Sequence, residues 1–416
     1  MRGKLWFLYW RWKEATSKFQ DKCRIGARTE EIDLRRTLSY GESGHDAGEW
    51  AEMTGNMQRA SLLLADSPHV KFLEKYHEMG ETLFLPQNFA QTAYYKNARE
   101  CVQITGNYFG QRTDEGITAQ ARSFITLYDR IVTNNSLEVK FPSTAYHSPS
   151  HSLPVVRKTW TPKTGQIDDG MHRLAISWVS GQKETTALVL PALPTKLQSL
   201  VTEVARTQEL PGLYQSVNSA EFDRSWTVVR RCSERFDIMR RFLASKNLRA
   251  GDLSVLDLGC SYGWFVSEFL KMGANAIGVD LNGAALKIGQ IAYGLTVNQV
   301  VERDLVNFLE NRDRTYNVVL LLSVLHHFAL KPDSESPAEV LKRADAVAGD
   351  VLFIDTGQAH EHRYRNKLPD WDNDFIVNFV KQHSSFERVI PLGVDSDRGQ
   401  RRRANYGRTL FACVRT

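Results

Sequence analysis

Apolar residues follow two different patterns along the chain. From residue 246 onward they come in short, largely apolar runs at 254–258, 276–281, 316–323, 351–355 and 409–414, and Val300 and Val301 mark a shorter one within 298–302. Runs of this length, closed by turn residues, predict strands buried on both faces. The first run ends in a glycine-bearing turn, Gly259 to Gly263. Behind it Phe265, Val266, Phe269 and Leu270 recur at helical spacing. Strand, turn and helix in that order predict an α/β domain with a doubly wound, Rossmann-like sheet over 246–416, its last strand, 409–414, an antiparallel edge.

Before residue 246 helical spacing dominates. Val70, Phe72, Leu73 and Tyr76 mark one helix, and 94–104 and 122–132 two more. Leu197, Leu200, Val201 and Val204 mark a fourth, and 233–243 a fifth. Prolines at 142, 149, 154, 162, 191 and 194 accompany β-like runs at 153–156 and 186–190, with a helix from near His172 to near Gly181 between them. Residues 14–55 are polar, with Gly41, Gly44 and Gly48 clustered, and read as a linker. The partition expected is an arm and linker (1–55), a helical region (56–138), a small α+β region (139–195), a helical connector (196–245) and the α/β domain (246–416).

Composition narrows the class. The chain has 416 residues, 42% hydrophobic, with a net charge of +5, which permits anionic partners without requiring nucleic acid. Its five cysteines are scattered without a CxxC pair, which fits a reducing, cytoplasmic setting and predicts neither a disulfide framework nor a metal site. No apolar run is long enough to span a bilayer. Residues 1–13 combine Trp6, Trp10 and Trp12 with Arg2, Lys4, Arg11 and Lys13. Such an arm suits peripheral contact with the inner face of an anionic membrane, or an aromatic helix packed on the protein itself.

The turn carries the chemistry. Dinucleotide folds keep G-x-G-x-x-G, whose second glycine admits a pyrophosphate. Here the pattern is Asp257-x-Gly259-Cys260-Ser261-x-Gly263, with an acid on the strand itself. A carboxylate there repels pyrophosphate and suits an ammonium. Asp280 closes the second run, where an acid takes ribose hydroxyls. These residues resemble motif I and its successors in class I S-adenosylmethionine-dependent methyltransferases, over about residues 250–416; Ser261 replaces the middle glycine. The resemblance implies S-adenosylmethionine as cofactor, held by Asp257, Gly259, Cys260, Ser261, Gly263, Asp280, Leu281, Asp304, Leu305 and Ser323. It also implies that the Leu325-His-His-Phe328 loop faces the methyl-donor centre. His327, or His326, is then placed to take a hydroxyl proton.

Two further groups are candidates for substrate. Asp355 and Gln358 follow the fifth run at the expected rim. Asp169-Gly-Met-His172-Arg173 resembles the Asp-Gly-x-His-Arg box of the ParB/sulfiredoxin-like fold, which implies a phosphate at a helix N-terminus. The alternative is a structural turn with Arg173 paired to Asp168 or Asp169. The overall look of the chain resembles methyltransferases of bacterial surface polysaccharide synthesis, which, with the arm 1–13, implies a glycan or glycolipid hydroxyl as acceptor. RNA is the alternative, through the basic run 398–403, and a nucleotide-phosphate sensor with a structural methyltransferase fold is a third reading.

Overall fold

The computed structural model describes residues 26–42, 44–134, 153–311, 314–331, 335–394 and 407–415. The aromatic arm 1–13 and the basic run 398–403 lie outside the described residues. No described helix is long and apolar enough to cross a membrane. The chain divides into two compact units at Ser199/Leu200, with Asn218–Ser225 returning to the first.

The first unit is built on a five-stranded mixed sheet: β1 (Arg28–Asp33), β2 (Thr37–Leu38), β3 (Val155–Lys158), β4 (Gly165–Asp169) and β5 (Glu184–Leu190), in the order β1-β5-β3-β4-β2. β1 falls in the stretch read as a linker. Its Arg-Thr-Glu-Glu-Ile-Asp sequence carries no apolar alternation, and antiparallel pairing along β5, from Arg28–Val189 to Asp33–Glu184, makes it a strand. The helix Ala47–Thr54 lies in the same stretch and is held by a reciprocal capping box of Asp46 and Glu49.

The helices Pro68–Met79, Ala93–Thr105, Asp114–Asn134 and Met171–Val179 belong to this unit. Ser67 caps Pro68–Met79 by accepting from the Val70 amide at 3.2 Å, and Pro68 takes the first turn, where its missing N–H costs nothing. Phe72, Tyr94, Phe124, Leu174 and Ile176 meet in one core.

The second unit holds a seven-stranded sheet. Its strands are β8 (Ser254–Leu258), β9 (Asn275–Asp280), β10 (Val300–Glu302), β11 (Tyr316–Leu322), β12 (Ala348–Asp355), β13 (Arg388–Val394) and β14 (Thr409–Val414). The order is β10-β9-β8-β11-β12-β14-β13, parallel except for β14. Val318, Leu320 and Leu322 pack toward the helices Ser233–Ser245, Trp264–Lys271 and Gly283–Tyr293; Val319 and Leu321 pack toward Leu305–Glu310, Pro337–Val347 and Asn373–His383. Both faces are covered, which is why the strands read as largely apolar runs.

The sheet departs from the sequence reading at one border. β14 is antiparallel as expected, but it runs between β12 and β13 and is not the edge. The edge is β13, whose half-exposed residues, Pro391 and register shift at Pro391/Gly393 conceal it; a proline without N–H is tolerated on an edge strand. The region 196–245 also holds more than helices. β6 (Gly212–Gln215) and β7 (Thr227–Arg230) pair in parallel between the helices Lys196–Thr207 and Ser233–Ser245.

Candidate active site

Strand order reverses between β8 and β11, so the carboxyl ends of these strands form the switch point where α/β sheets take ligands. The turn after β8 is tied to β9. The Gly259 and Cys260 amides both donate to the Val279 carbonyl, at 2.8 and 3.1 Å. The Ser261 amide donates to Asp280 Oδ2 at 2.8 Å, and the Asn282 amide to Asp280 Oδ1 at 2.9 Å. Gly259 and Gly263 lie at φ +79° and +77°. A Cβ on Gly259 would stand 2.6 Å from Val324, and one on Gly263 2.8 Å from Leu295. Conformation and packing against protein atoms therefore both demand glycine there, whatever ligand approaches. Ser261 holds φ +54°, a conformation that costs a non-glycine residue of order 1 kcal/mol or more.

Two buried polar atoms in this turn have no hydrogen-bond partner among the described residues: Asp257 Oδ2 and Ser261 Oγ. Burial, and secondarily the charge of Asp280, push the Asp257 carboxyl up to about 8 against the pull of Arg235. Burial also raises Asp280, opposed by the amides it accepts. Asp257, Gly259, Cys260 and Ser323 line a small cavity together with Tyr214, Gln215 and Arg235. Leu281, at the end of β9, is 70% exposed, and Asp304 caps the helix Leu305–Glu310 by accepting from the Asn307 amide at 3.1 Å. Leu305, in the first turn of that helix, is half-buried.

Gln215 and Arg235 were not singled out in the sequence. Gln215 spans the turn: its amide donates to the Cys260 carbonyl at 3.4 Å and its oxygen accepts from the Trp264 amide at 3.3 Å. The Tyr262 hydroxyl accepts from the Tyr214 amide at 3.1 Å, so β6 is fixed against the turn. No local motif marks this pairing, which joins residues more than forty positions apart.

Beyond β11 and β12 lies a buried ion network. Arg235 Nη1 donates to Asp355 Oδ2 at 2.6 Å. Ser323, at φ +60°, donates its hydroxyl to Asp355 Oδ1 at 2.9 Å and accepts from Arg408 Nη1 at 2.7 Å. Arg408 pairs two-pronged with Glu361, at 2.8 and 3.1 Å. Despite burial, Arg235, Arg408 and Arg230 hold the Asp355 carboxyl below its ordinary value. Asp355 and Gln358, expected at an open rim, are both buried. Gln358 donates its side-chain amide to Asn373 Oδ1 at 2.6 Å.

The two histidines differ. His326 is buried, and its Nδ1 accepts the Gly357 amide at 3.0 Å; this contact assigns the proton of the neutral ring to Nε2. Burial and the charges of Arg408, His327, Arg363 and Arg230 hold it well below the ordinary histidine value. His327 is exposed, with its ring centroid 4.3 Å from that of His326. Partial loss of solvation, then Arg363, Arg408 and Lys331, push it down to about 4.

In the first unit, Gly170 lies at φ +87° and opens the helix Met171–Val179. Arg173 is buried, 3.9 Å from Asp169. The His172 ring is surrounded by Phe124, His69, Phe109 and Tyr94, with centroids at 4.4 to 6.2 Å. No group of histidine, cysteine and carboxylate side chains capable of holding a metal occurs among the described residues.

A sheet of this order, with acids at the ends of β8 and β9, has the class I methyltransferase fold. Residues 228–389 match the family described as "Methyltransferase domain", and the second unit thus carries a methyltransferase domain. No curated protein matches the sequence. Among solved structures, the bifunctional kinase-methyltransferase WbdD is 18% identical, covering 52% of this chain and 46% of its own, with a TM-score of 0.41. Magnesium protoporphyrin IX methyltransferase (ChlM) from Synechocystis PCC 6803, solved with bound SAM, is 18% identical over 44% of this chain and 79% of its own, with a TM-score of 0.33. The chain spans less than half the length of the WbdD chain it resembles.

Proposed function

We propose that the chain transfers the methyl group of S-adenosylmethionine to a hydroxyl of a glycan or glycolipid. The observation that carries the cofactor half of this reading is the pair of unpartnered buried atoms, Asp257 Oδ2 and Ser261 Oγ, beside Asp280 in a turn of fixed geometry. Asp257 suits the ammonium of the donor. The second lone pairs of Asp280 would take the ribose hydroxyls and exposed Leu281 would pack on the adenine, whose amino group the resemblance assigns to Asp304. Bound S-adenosylmethionine supplies an electrophilic methyl on a sulfonium, and the chain's own contribution is to orient the two reactants and exclude water.

The acceptor class rests on the sequence resemblance. The Asp169–Arg173 turn is read as packing: Arg173 lies beside Asp169, and aromatic rings enclose His172. The test is transfer of labelled methyl from S-adenosylmethionine into fractionated cell extract, with calorimetry of cofactor binding alongside. Label in a carbohydrate-containing fraction supports the reading. Label in RNA overturns the acceptor class, and absence of cofactor binding overturns the whole.

A further inference from the structure

The donor turn is held from outside the residues that match the methyltransferase family. β6 ends at Gln215, before residue 228, where the match begins. Three consecutive residues at its end are tied to the turn after β8 and to the helix after β9. The Tyr214 amide donates to the Tyr262 hydroxyl at 3.1 Å, inside the turn. Gln215 bonds both ends of the turn through its side chain. The Ser216 carbonyl accepts at 2.7 Å from the hydroxyl of Tyr293, the last residue of the helix Gly283–Tyr293. Gln215 is buried and lines the cavity beside Asp257, Gly259 and Cys260.

The Gln215 side chain is chemically matched to its place. The helix Trp264–Lys271 begins with amides that have no intrahelical partner, and its N-cap is Gly263. That position needs glycine, at φ +77° and with Leu295 2.8 Å from an added Cβ, so it has no side chain with which to cap. The Gln215 oxygen supplies the cap instead, accepting from the Trp264 amide at 3.3 Å. Its nitrogen donates to the Cys260 carbonyl at 3.4 Å. The same carbonyl accepts from the Gly263 amide at 2.9 Å, which closes the turn around Ser261. A carboxamide offers a donor and an acceptor side by side, and its orientation here is forced, because a backbone amide donates and a carbonyl accepts. Ser261, at φ +54°, keeps its strained conformation only while its surroundings dictate it. The bridge of Gln215 across residues 260–264 is one such constraint, and the bond of the Ser261 amide to Asp280 is another.

Resting on the methyltransferase reading above, we propose that Gln215 is a positioning residue for the methyl donor. It acts through the turn: it locks residues 260–264, and with them the buried Ser261 Oγ, in the conformation that receives the donor. β6 is thereby a built part of the donor site. The turn serves the portion of the ligand that S-adenosylmethionine and S-adenosylhomocysteine share, not the transferred methyl.

The experiment uses the full chain, with S-adenosylmethionine and S-adenosylhomocysteine as probes in calorimetry. Wild type tests the methyltransferase reading by itself: no binding there overturns that reading and the inference with it. In Q215L both dissociation constants are expected to rise at least tenfold, by the same factor for the two ligands. With tritiated S-adenosylmethionine and the labelled fraction of cell extract, KM for the donor should rise at least tenfold while kcat at saturating donor stays within threefold. Hydrogen exchange should quicken in the peptide spanning 259–266 and stay as in wild type in β11 and β12. A merely structural role would lower kcat through the active fraction and leave the donor's KM and dissociation constants where they were. That result overturns the proposal. Y262F deletes only the hydroxyl that takes the Tyr214 amide and covers a Q215L that does not fold. A threefold or greater loss of affinity is expected in it, and unchanged affinity in both Y262F and Y293F overturns the role of β6.

Discussion

Arg408 meets Glu361 through two parallel hydrogen bonds in a site where both side chains are almost wholly buried. The same guanidinium reaches Ser323 and lies 3.7 Å from Asp355. It therefore joins the segment before β14 to the loops after β11 and β12. Arg408→Leu leaves two buried carboxylates short of a cation. Loss of one partner from such a pair costs about 3–5 kcal/mol, to be read as a lowered urea midpoint. Arg408→Lys keeps the charge but not the fork and is expected to lose less. A variant as stable as wild type would mean that the network contributes nothing to folding.

Asp257 is raised to about 8, so in the ligand-free protein it is largely protonated at neutral pH. A cationic ligand favours its ionised form, and binding at pH 7 should release a proton. Calorimetry in buffers of different ionisation enthalpy measures that release directly, and affinity is expected to rise as pH increases from 6 toward 8. The effect on folding has the opposite sign. A carboxyl held above its ordinary value makes the native state the stronger proton binder, so stability falls as pH rises from about 4 to about 8. Asp257→Asn should remove both the proton release and part of that decline, and should weaken S-adenosylmethionine at least tenfold. Unaltered proton release in this variant would assign the proton elsewhere.

The two adjacent histidines should separate cleanly on substitution. His326→Ala removes the acceptor of the buried Gly357 amide, an unsatisfied group worth about 1–3 kcal/mol. It also opens space beside Tyr364, whose ring centroid is 4.9 Å away. A lower melting temperature is expected. His327→Ala should leave the melting temperature unchanged and turnover within threefold of wild type across pH 6 to 9. A hundredfold loss of turnover with cofactor affinity kept would restore His327 as a base.

The strands that carry the candidate donor site were legible because their signals are local. β8, β9, β11 and β12 are buried on both faces and show as apolar runs, and Asp257 and Asp280 stand at strand ends that those runs define, while Asp304 follows the shorter β10. What escaped depends on pairing between distant segments. β1 is charged and exists through β5; β13 is half-exposed and carries Pro391. Gln215 acts on a turn 45 residues downstream, and Arg408 on a glutamate 47 residues upstream. Asp355 and Gln358 were read from the end of a strand, which gives nearness to the site but not burial. That was decided by Arg235, Arg408 and Asn373 from other elements.

Glu221 gives the first unit a pH dependence of its own. It is fully buried, and its carboxylate is held by the hydroxyls of Ser61 and Thr195, while its backbone carbonyl accepts from Thr161 and, at 2.9 Å, from the Gln198 amide. Burial raises it to about 7, against the hydrogen bonds of Ser61, Thr195 and Ser219. The native state therefore binds this proton more tightly than the unfolded chain. Its contribution to stability is complete below about pH 4.5, declines as pH rises toward 7 and is flat above it. Glu42, raised to about 7 by burial beside Asn97, acts in the same direction. Glu221→Gln keeps the shape and most hydrogen bonds without an ionisable proton. It should stabilise the protein at pH 8.5 by up to roughly 3 kcal/mol relative to its effect at pH 4.5, the scale set by the size of the shift. Thermal unfolding of wild type and variant at the two pH values reads this as a difference of differences. An equal change in midpoint at both would mean that Glu221 is ionised throughout and acts only as a hydrogen-bond acceptor.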